Sequence, residues 1–363
     1  MHPQISPLQN PNNAYPECLL PSLRDVDFVC PLCRGKMGVL KNGYQCSHCQ
    51  KNYHLHDGIP DFRVFPDPYL SYEEDRERTE IVLAALEKFN LEKLLEHYWS
   101  FSDITPENLR PKFIRSVMLG EQKAERMLEL FDNGTFKKPV VAKRVLEIGS
   151  GTGNFLAVAT SRYEQVIGVD IAMRWLHVSR RRFMDKGLPV PPLVCCCAEF
   201  LPFADKSFDL VVAISTIEFV RDQDKVFAEC SRALEDDGSV YINSVNRYSV
   251  ARDPYSYLWG VGFLPRALQA SYVRWRRKAS YENIRTLSYC ELNHKAGAYF
   301  PSRELGLPDI SSSVLREFSP ITRFQTHVYK FLRQLSVFSN LLKWTGPGWD
   351  VVLRKTSSRE SNS

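Results

Sequence analysis

The sequence of 363 residues lacks several features that would place it in a specialised class of protein. It has no uncharged run of 18 or more apolar residues, so we expect no transmembrane helix. It has no basic-then-apolar stretch near its start, so we expect no signal peptide. The net charge is only +5, which by itself does not indicate a nucleic-acid-binding protein. The content of 44% apolar and 25% charged residues is typical of an ordinary globular chain, here long enough for two or three units.

The ten cysteines indicate thiols and metal ligands in a reducing, cytoplasmic compartment rather than disulfides. Four of them form two C-x2-C pairs, Cys30 with Cys33 and Cys46 with Cys49, separated by twelve residues. Two such pairs predict a tetrahedral Zn²⁺ site. Because four protein ligands leave no open position, we expect a structural ion and not a catalytic one.

Residues 145–156 read Val-Leu-Glu-Ile-Gly-Ser-Gly-Thr-Gly-Asn-Phe-Leu. The branched apolar run followed by three alternate glycines predicts a buried parallel strand that turns sharply into a helix. The spacing is G-x-G-x-G, which differs from the dinucleotide fingerprint G-x-G-x-x-G and disfavours an NAD-dependent dehydrogenase. A second apolar strand, 165–169, ends in Asp170, where a carboxylate can accept hydrogen bonds from ribose hydroxyls.

Three further motifs follow in order, and the succession resembles a known family. They are Cys-Ala-Glu-Phe-Leu-Pro-Phe at 197–203, Ser-Phe-Asp-Leu-Val at 207–211 and Gly-Ser-Val-Tyr-Ile-Asn at 238–243. Over about residues 140–250 the chain resembles the class I S-adenosylmethionine-dependent methyltransferases. The resemblance implies an α/β fold with a doubly wound, mostly parallel seven-stranded sheet (Rossmann-like), here with a small N-terminal zinc ribbon.

The resemblance also implies a site for S-adenosylmethionine. Glu147 is expected near the methionine amino group, Asp170 at the ribose, and Ile171 and Ala198 at the adenine. Cys197 departs from the family pattern, which usually has an Asp that accepts from the adenine amino group. A thiol accepts poorly, so we expect Glu199 or a backbone carbonyl to compensate. The complete predicted set is Glu147, Gly149, Ser150, Gly151, Gly153, Asp170, Ile171, Cys197, Ala198, Glu199 and Ser215.

Composition and periodicity divide the chain into six predicted segments. They are a flexible leader (1–24), the zinc ribbon (25–66), a helical linker or cap (67–138), the methyltransferase core (139–246), a basic aromatic insert that caps the acceptor pocket (247–345), and a final strand with a polar tail (346–363). Amphipathic patterns predict single helices over 73–97, 106–131 and 325–342. A strand is predicted over 349–353.

The acceptor is less defined than the cofactor, because methyl transfer from a sulfonium mainly needs alignment and exclusion of water. The leading interpretation is a small-molecule acceptor, glycosylated or lipid-like. RNA is the alternative, since a related ribbon helps to hold RNA in the ribosomal RNA guanine-N1 methyltransferases and since basic and aromatic residues alternate from 247 onward. A second alternative is a non-catalytic binding module. Glu218, His177, Asn246 and Tyr248 are candidate general bases. The pattern predicts neither the methylated atom nor the oligomeric state, and contact with a membrane surface stays open.

Overall fold

The computed structural model describes residues 19–101, 105, 107–309 and 320–355. Residues 1–18 of the predicted leader, the tail from 356 and residues 310–319 of the predicted insert lie outside the described residues. No helix among those described has both the length and the apolar content that crossing a bilayer requires.

The N-terminal unit is a small antiparallel sheet with strand order β1-β2-β3-β4. Its strands are β1 (Met37–Leu40), β2 (Gly43–Cys46), β3 (Asn52–His56) and β4 (Ile59–Pro60). Four aromatic rings fill the space behind it. Phe28, Tyr44 and Tyr53 all lie within 5.6 Å of Phe62, measured between ring centroids. A unit this small has no larger apolar core of its own, which is why a metal ion would matter to its stability.

Four helices connect this unit to the main sheet, where the sequence predicted two. They are α1 (Tyr72–Leu86), α2 (Leu91–Phe101), α3 (Arg110–Met118) and α4 (Gly120–Asp132). The prediction of one continuous helix over 73–97 is wrong because Asn90 starts a new helix, its side chain accepting from the N–H of Lys93 at 3.0 Å. The prediction over 106–131 is wrong in the same way. There the chain bends at Gly120, where a Cβ atom would come within 2.2 Å of Asn154.

The described residues form a seven-stranded main sheet with the order β10-β11-β9-β8-β5-β6-β7. The strands are β5 (Arg144–Ile148), β6 (Gln165–Asp170), β7 (Leu193–Cys195), β8 (Phe208–Ile214), β9 (Leu234–Val245), β10 (Ser302–Gly306) and β11 (Gly348–Arg354). Strands β5 to β9 pair in parallel, while β11 and β10 are antiparallel to their neighbours. The predicted doubly wound, mostly parallel seven-stranded sheet is therefore confirmed. The sequence did not indicate β10, because Ser-Arg-Glu-Leu-Gly has no apolar alternation.

Helices cover both faces of this sheet, as apolar strands buried on two sides require. Those that pack against its strands are α5 (Asn154–Ala159), α6 (Met173–Asp185), α7 (Gln223–Ala233) and α9 (Tyr289–Gly297). The other helices described in this part of the chain are α8 (Arg266–Arg277), α10 (Pro320–Gln334) and α11 (Ser336–Thr345). The single helix predicted over 325–342 is two helices, which separate at Leu335.

The N-terminal unit is joined to one edge of the main sheet. The N–H of Phe62 donates to the carbonyl oxygen of Cys195 at 2.7 Å, and Asp61 pairs with Cys195 in parallel. Nearby, Phe28 pairs antiparallel with Phe203. The chain that leaves β4 thus continues the sheet beyond β7.

Candidate cofactor site

A turn built on three glycines leads from β5 into α5. Gly149, Gly151 and Gly153 have φ angles of 70°, 49° and 74°, a left-handed conformation that favours glycine. The N–H groups of Gly149 and Ser150 both donate to the carbonyl oxygen of Val169, at 2.8 and 2.9 Å. These bonds tie the turn to β6, so that the ends of both strands deliver side chains to the same edge of the sheet.

A half-open cavity with a volume of about 240 Å³ lies at this edge. One water molecule needs only about 10–15 Å³ by this measure, so the cavity has room for an organic ligand. Open parallel sheets bind their ligands outside the carboxyl ends of the strands, which is where this cavity opens.

Six of the eleven predicted cofactor residues line the cavity, and five do not border it. Those that line it are Gly149, Asp170, Ile171, Ala198, Glu199 and Ser215. The others are Glu147, Ser150, Gly151, Gly153 and Cys197. Ser215 has a φ angle of 49°, a strained conformation for a residue with a side chain, and such strain is concentrated at functional sites.

Asp170 is held in place by the glycine turn. Its two carboxylate oxygens accept hydrogen bonds from the N–H groups of Gly151 and Ala172, both at 2.8 Å. Burial raises the pKa of Asp170 to about 6, and these two N–H groups oppose the rise. The carboxylate is oriented before any ligand binds, with lone pairs left to accept from ligand hydroxyls.

Several buried polar atoms beside the turn have no hydrogen-bond partner among the described residues, and two of them belong to predicted cofactor residues. These two are Oε2 of Glu147 and the hydroxyl of Ser150. Burial, followed by repulsion from Asp170, raises the pKa of Glu147 well above its usual range. Buried groups without partners cost free energy, so these atoms fit a ligand that carries N–H donors and a positive charge. The amino-acid half of S-adenosylmethionine has both.

The two cysteines directly after β7 are placed differently from the prediction. Cys196 lines the cavity, while the thiol of Cys197 lies against the last residues of the ribbon segment. There it accepts from the N–H of Val64 at 3.4 Å and donates to the carbonyl oxygen of Phe65 at 3.5 Å. Glu199 does border the cavity, and its carboxylate accepts from the N–H of Arg221 at 2.7 Å.

One wall of the cavity comes from residues that sequence reasoning missed. Phe65 at the end of the ribbon segment and Asp67, Pro68 and Tyr69 just after it line the cavity together with Trp175 of α6. On the far side it is lined by Thr216, Phe219, Val220 and Arg221. No local pattern in the sequence marks the first group, because it reaches the cavity only through contacts between distant segments.

A buried network of charges holds this wall against the sheet. Asp75 of α1 is fully buried and accepts from Arg63 at 2.6 Å and from Arg174 at 2.5 Å. Arg63 also binds Asp61 at 2.6 Å, and Arg174 binds Asp67 at 2.9 Å. The network thus joins the end of the ribbon, helix α1 and helix α6, and two of its members, Asp67 and Arg174, border the cavity.

The same network fixes the loop between β6 and α6. Arg63 donates to the carbonyl oxygen of Ile171 at 3.2 Å, and Asp75 accepts from the N–H of Met173 at 3.3 Å. Ile171 and its neighbour Ala172 line the cavity.

None of the four candidate bases borders the cavity. Glu218 is fully buried and accepts from the hydroxyls of Tyr255 and Ser244, and burial raises its pKa. His177 is also fully buried; burial lowers its pKa to about 4, so it is neutral at pH 7. Its two ring nitrogens have no partner among the described residues.

The other two candidates lie in the segment after β9. Asn246 donates to the carbonyl oxygen of Trp344 at 2.8 Å and accepts from the N–H of Tyr248 at 3.0 Å. Tyr248 is partly exposed beside Phe263. Their placement gives none of the four a direct path to a ligand in the cavity.

The four predicted metal ligands come together in the ribbon. The sulfur atoms of Cys30, Cys33, Cys46 and Cys49 all lie within 4.8 Å of one another. Cys30 and Cys49 are 3.6 Å apart, and Cys33 and Cys46 are 3.4 Å apart. Zn–S bonds of about 2.3 Å in a tetrahedron put the sulfurs roughly 3.8 Å apart, so the cluster fits such an ion.

Comparison with known proteins gives a consistent assignment for the core. Residues 146–242 match the family model described as a methyltransferase domain. A malonyl-[acyl-carrier protein] O-methyltransferase of Geobacter sulfurreducens is 37% identical over 118 residues, which are 31% of this chain and 41% of that protein. A ubiquinone biosynthesis O-methyltransferase of Chromobacterium violaceum is 25% identical over 185 residues, 51% of this chain and 72% of that protein.

The chain spans about half the length of most of the curated relatives that it matches. Among solved structures, a methyltransferase of Thermotoga maritima titled a possible histamine N-methyltransferase aligns with 69% of this chain and 97% of its own, with a TM-score of 0.43 and 20% identity.

The glycine turn, the carboxylate that it orients, the seven-stranded sheet and the matched segment agree with one another. The chain carries a class I S-adenosylmethionine-dependent methyltransferase domain, preceded by a ribbon with a cluster of four cysteines.

Proposed function

We propose that this protein transfers the methyl group of S-adenosylmethionine to a small molecule with a lipid-like part. The observation that carries the proposal is the cavity at the carboxyl edge of the sheet, with the Asp170 carboxylate oriented by the glycine turn. The acceptor class is supported by the relatives, whose names point to ubiquinone biosynthesis and to a malonyl group on a carrier protein. Both of these acceptors are small groups on larger or apolar carriers.

The cofactor supplies an activated methyl group on a positively charged sulfur. In this proposal Asp170 accepts from the ribose hydroxyls. Glu147 and Ser150 do not border the cavity but lie beside the glycine turn, and their unpartnered buried atoms would meet the amino-acid half there. Ile171 and Ala198 contribute apolar surface to the adenine. Cys196, and not Cys197, borders the cavity, so Cys197 does not take the place of the Asp that the family usually has for the adenine amino group.

The chain's own contribution to chemistry is then alignment and exclusion of water. Phe65, Trp175 and Phe219 line the cavity and present apolar surface to the acceptor. Because Glu218 and His177 are buried without access to the cavity, we infer that neither of them takes a proton from the acceptor directly. An acceptor that loses its proton readily, such as a phenol or an activated carboxylic acid, needs no strong base.

We also propose that Cys30, Cys33, Cys46 and Cys49 bind a structural Zn²⁺ ion. We further propose that the six predicted segments are the domains and linkers of the chain. The sulfur positions support the ion, since they match the spacing of a tetrahedral site. Cysteines 195, 196, 197 and 230 are buried and free, which fits the proposed cytoplasmic location.

Two measurements test the function. Calorimetry with S-adenosylmethionine, S-adenosylhomocysteine and NAD should show binding of the first two only; no binding of either would support a module without turnover. Labelled cofactor should then be incubated with a lipid-soluble extract and with RNA, in separate reactions. Label in the lipid-soluble fraction is expected. Label in RNA, with an affinity that falls steeply between 50 and 200 mM salt, would replace the proposal with the RNA alternative.

A further inference from the structure

Two consecutive helices near the end of the described chain expose a stripe of apolar side chains. The spacing along α10 is four, three and four residues, and α11 continues with similar steps, so each set lies on one helix face. The members are Phe324, Val328, Phe331 and Leu335 in and after α10, and Val337, Phe338, Leu341 and Trp344 in α11. Val337 is 77% exposed and Phe324 is 69% exposed. A globular protein ordinarily turns such a stripe toward its core.

The opposite faces of the two helices attach them to the protein. The hydroxyl of Tyr329 donates to the carbonyl oxygen of Pro308 at 2.8 Å, and Arg333 donates to that of Leu307 at 3.2 Å. In α11, Leu342 is buried. Most of the apolar stripe therefore faces away from the rest of the described chain; Trp344, at its end, is 48% exposed and its ring also packs against that of Tyr289, with 4.8 Å between ring centroids.

A second group of exposed apolar side chains adjoins the end of α11. It consists of Tyr248, Val250, Trp259 and Phe263. The N–H of Val250 donates to the carbonyl oxygen of Thr345 at 3.0 Å, and the indole of Trp259 donates to that of Val250 at 2.9 Å. The rings of Tyr248 and Trp259 lie 5.7 and 6.4 Å from that of Phe263. We call the stripe and this group together the apolar surface.

The segments that carry the apolar surface are basic. Residues 320–345 contain four Lys or Arg, residues 254–281 contain five, and neither segment contains an Asp or Glu, although the chain has 42. Lys330 and Lys343 each precede a stripe residue by one position, about 100° around the helix. Three carboxylates offset part of this charge: Asp309 lies 3.7 Å from Lys330 and 3.5 Å from Arg333, Glu291 pairs with Arg266 at 2.8 Å, and Glu282 pairs with Arg274. The remaining excess is positive, at the border of an apolar face.

We propose that the apolar surface binds an anionic lipid membrane, with α10 and α11 lying in the plane of the interface. Helices with an apolar face, aromatic residues and basic flanks adopt this position, and long Lys side chains reach from the apolar layer to the headgroups. RNA does not account for Val and Leu in the stripe, because single strands bind through stacking on aromatic rings. A second copy of the chain would bring two basic surfaces together, which repel each other.

The membrane contact lies at the same edge of the sheet as the cavity. Helix α11 leads into β11, whose first residue pairs with Val245 at the carboxyl end of β9. Tyr255, between Val250 and Trp259 in sequence, packs edge-on to Phe219 of the cavity wall with 5.0 Å between ring centroids. This binding does not depend on the proposed methyl transfer, and it is measurable without any cofactor.

The test is flotation of the full chain with phosphatidylcholine vesicles that contain either no phosphatidylglycerol or roughly 30% of it. Near an anionic surface each Lys or Arg contributes about 1 kcal/mol, or about fivefold in affinity. Binding is expected with the anionic vesicles and should weaken, without vanishing, as salt rises. Val337→Asp should lower the affinity at least about tenfold, because it puts a charge where an apolar side chain enters the interface. Lys343→Gln should lower it about fivefold on anionic vesicles only.

Val141→Asp is the matched control, since Val141 is 82% exposed but outside the apolar surface. It should bind vesicles as the unchanged chain does. Circular dichroism spectra that match that of the unchanged chain show that both Val→Asp variants are folded. No binding to either vesicle, or equal binding by the two variants, overturns the proposal. Two other results would also overturn it if the chain does not bind vesicles. One is a dimer that Val337→Asp dissociates and Val141→Asp does not, and the other is RNA binding that Val337→Asp abolishes and Val141→Asp does not.

Discussion

Replacing Asp75 with Asn tests whether the buried charge network holds the cavity wall. Asp75 accepts from Arg63 at 2.6 Å and from Arg174 at 2.5 Å, with no exposure to solvent. An Asn keeps the shape but has one acceptor oxygen, so one charge-assisted bond is lost, worth about 1.5–3 kcal/mol, and the other is weakened by about 1 kcal/mol. Each arginine keeps a second carboxylate, Asp61 or Asp67, which limits the loss. We expect the free energy of unfolding to fall by about 3 kcal/mol, at the low end for a broken buried pair.

The control is Glu73→Gln in the same helix. Glu73 lies 3.9 Å from Arg76, and both side chains are more than half exposed. Such a surface pair contributes at most about 0.5 kcal/mol. Unfolding in urea, followed by tryptophan fluorescence, gives both free energies from transitions of equal slope.

Cofactor affinity provides a second measurement on the same variants. Because Asp75 accepts from the N–H of Met173 and Arg63 holds the carbonyl oxygen of Ile171, Asp75→Asn should also weaken binding of S-adenosylmethionine. Glu73→Gln should leave it unchanged. If Asp75→Asn differs from Glu73→Gln by less than about 0.5 kcal/mol in stability, the network does not support the wall as argued.

Three further changes address the site and the ribbon. Asp170→Ala should weaken cofactor binding by about 1–3 kcal/mol in calorimetry; in the unchanged protein affinity should fall as pH drops through about 6, where Asp170 takes up a proton, and the variant should lack this dependence. Cys30→Ser should release zinc, measured by elemental analysis, and lower the stability of the ribbon; a wild-type protein purified free of metal contradicts the site. Gly153→Ala should destabilise the chain more than Gly187→Ala, because its Cβ would meet Ser179 at 2.1 Å while Gly187, also at positive φ, has open space; equal unfolding midpoints would count against a tightly packed turn.

Local physics made the glycine turn and the sheet predictable. Alternate glycines that must adopt left-handed φ, followed by a strand ending in Asp170, indicate one edge of a parallel sheet without any knowledge of distant contacts. The cysteine pairs are equally local, because each C-x2-C knuckle brings its two sulfurs together. The sequence therefore predicted the fold class and the edge of the sheet at which the cavity opens.

The features that the sequence did not predict depend on contacts between segments that are distant in the chain. Cys197 was placed at the adenine by resemblance, but the segment from Val64 to Phe65 binds its thiol and Cys196 borders the cavity instead. Glu218 seemed available as a base after β8, yet Tyr255 from a later segment covers it. The helix break at Gly120 has the same origin, since only the packing of Asn154 shows that a side chain has no room there.

The pairing between the ribbon segment and β7 affects how the protein would aggregate. Strand β7 is short, entirely apolar and buried. Without the chain around Phe62, β7 would be an exposed edge strand with unpaired backbone N–H and C=O groups. An exposed edge strand of this kind pairs with strands of other molecules. The ribbon thus protects this edge, and we expect loss of the proposed zinc ion to unfold the ribbon, expose the edge and cause the protein to aggregate.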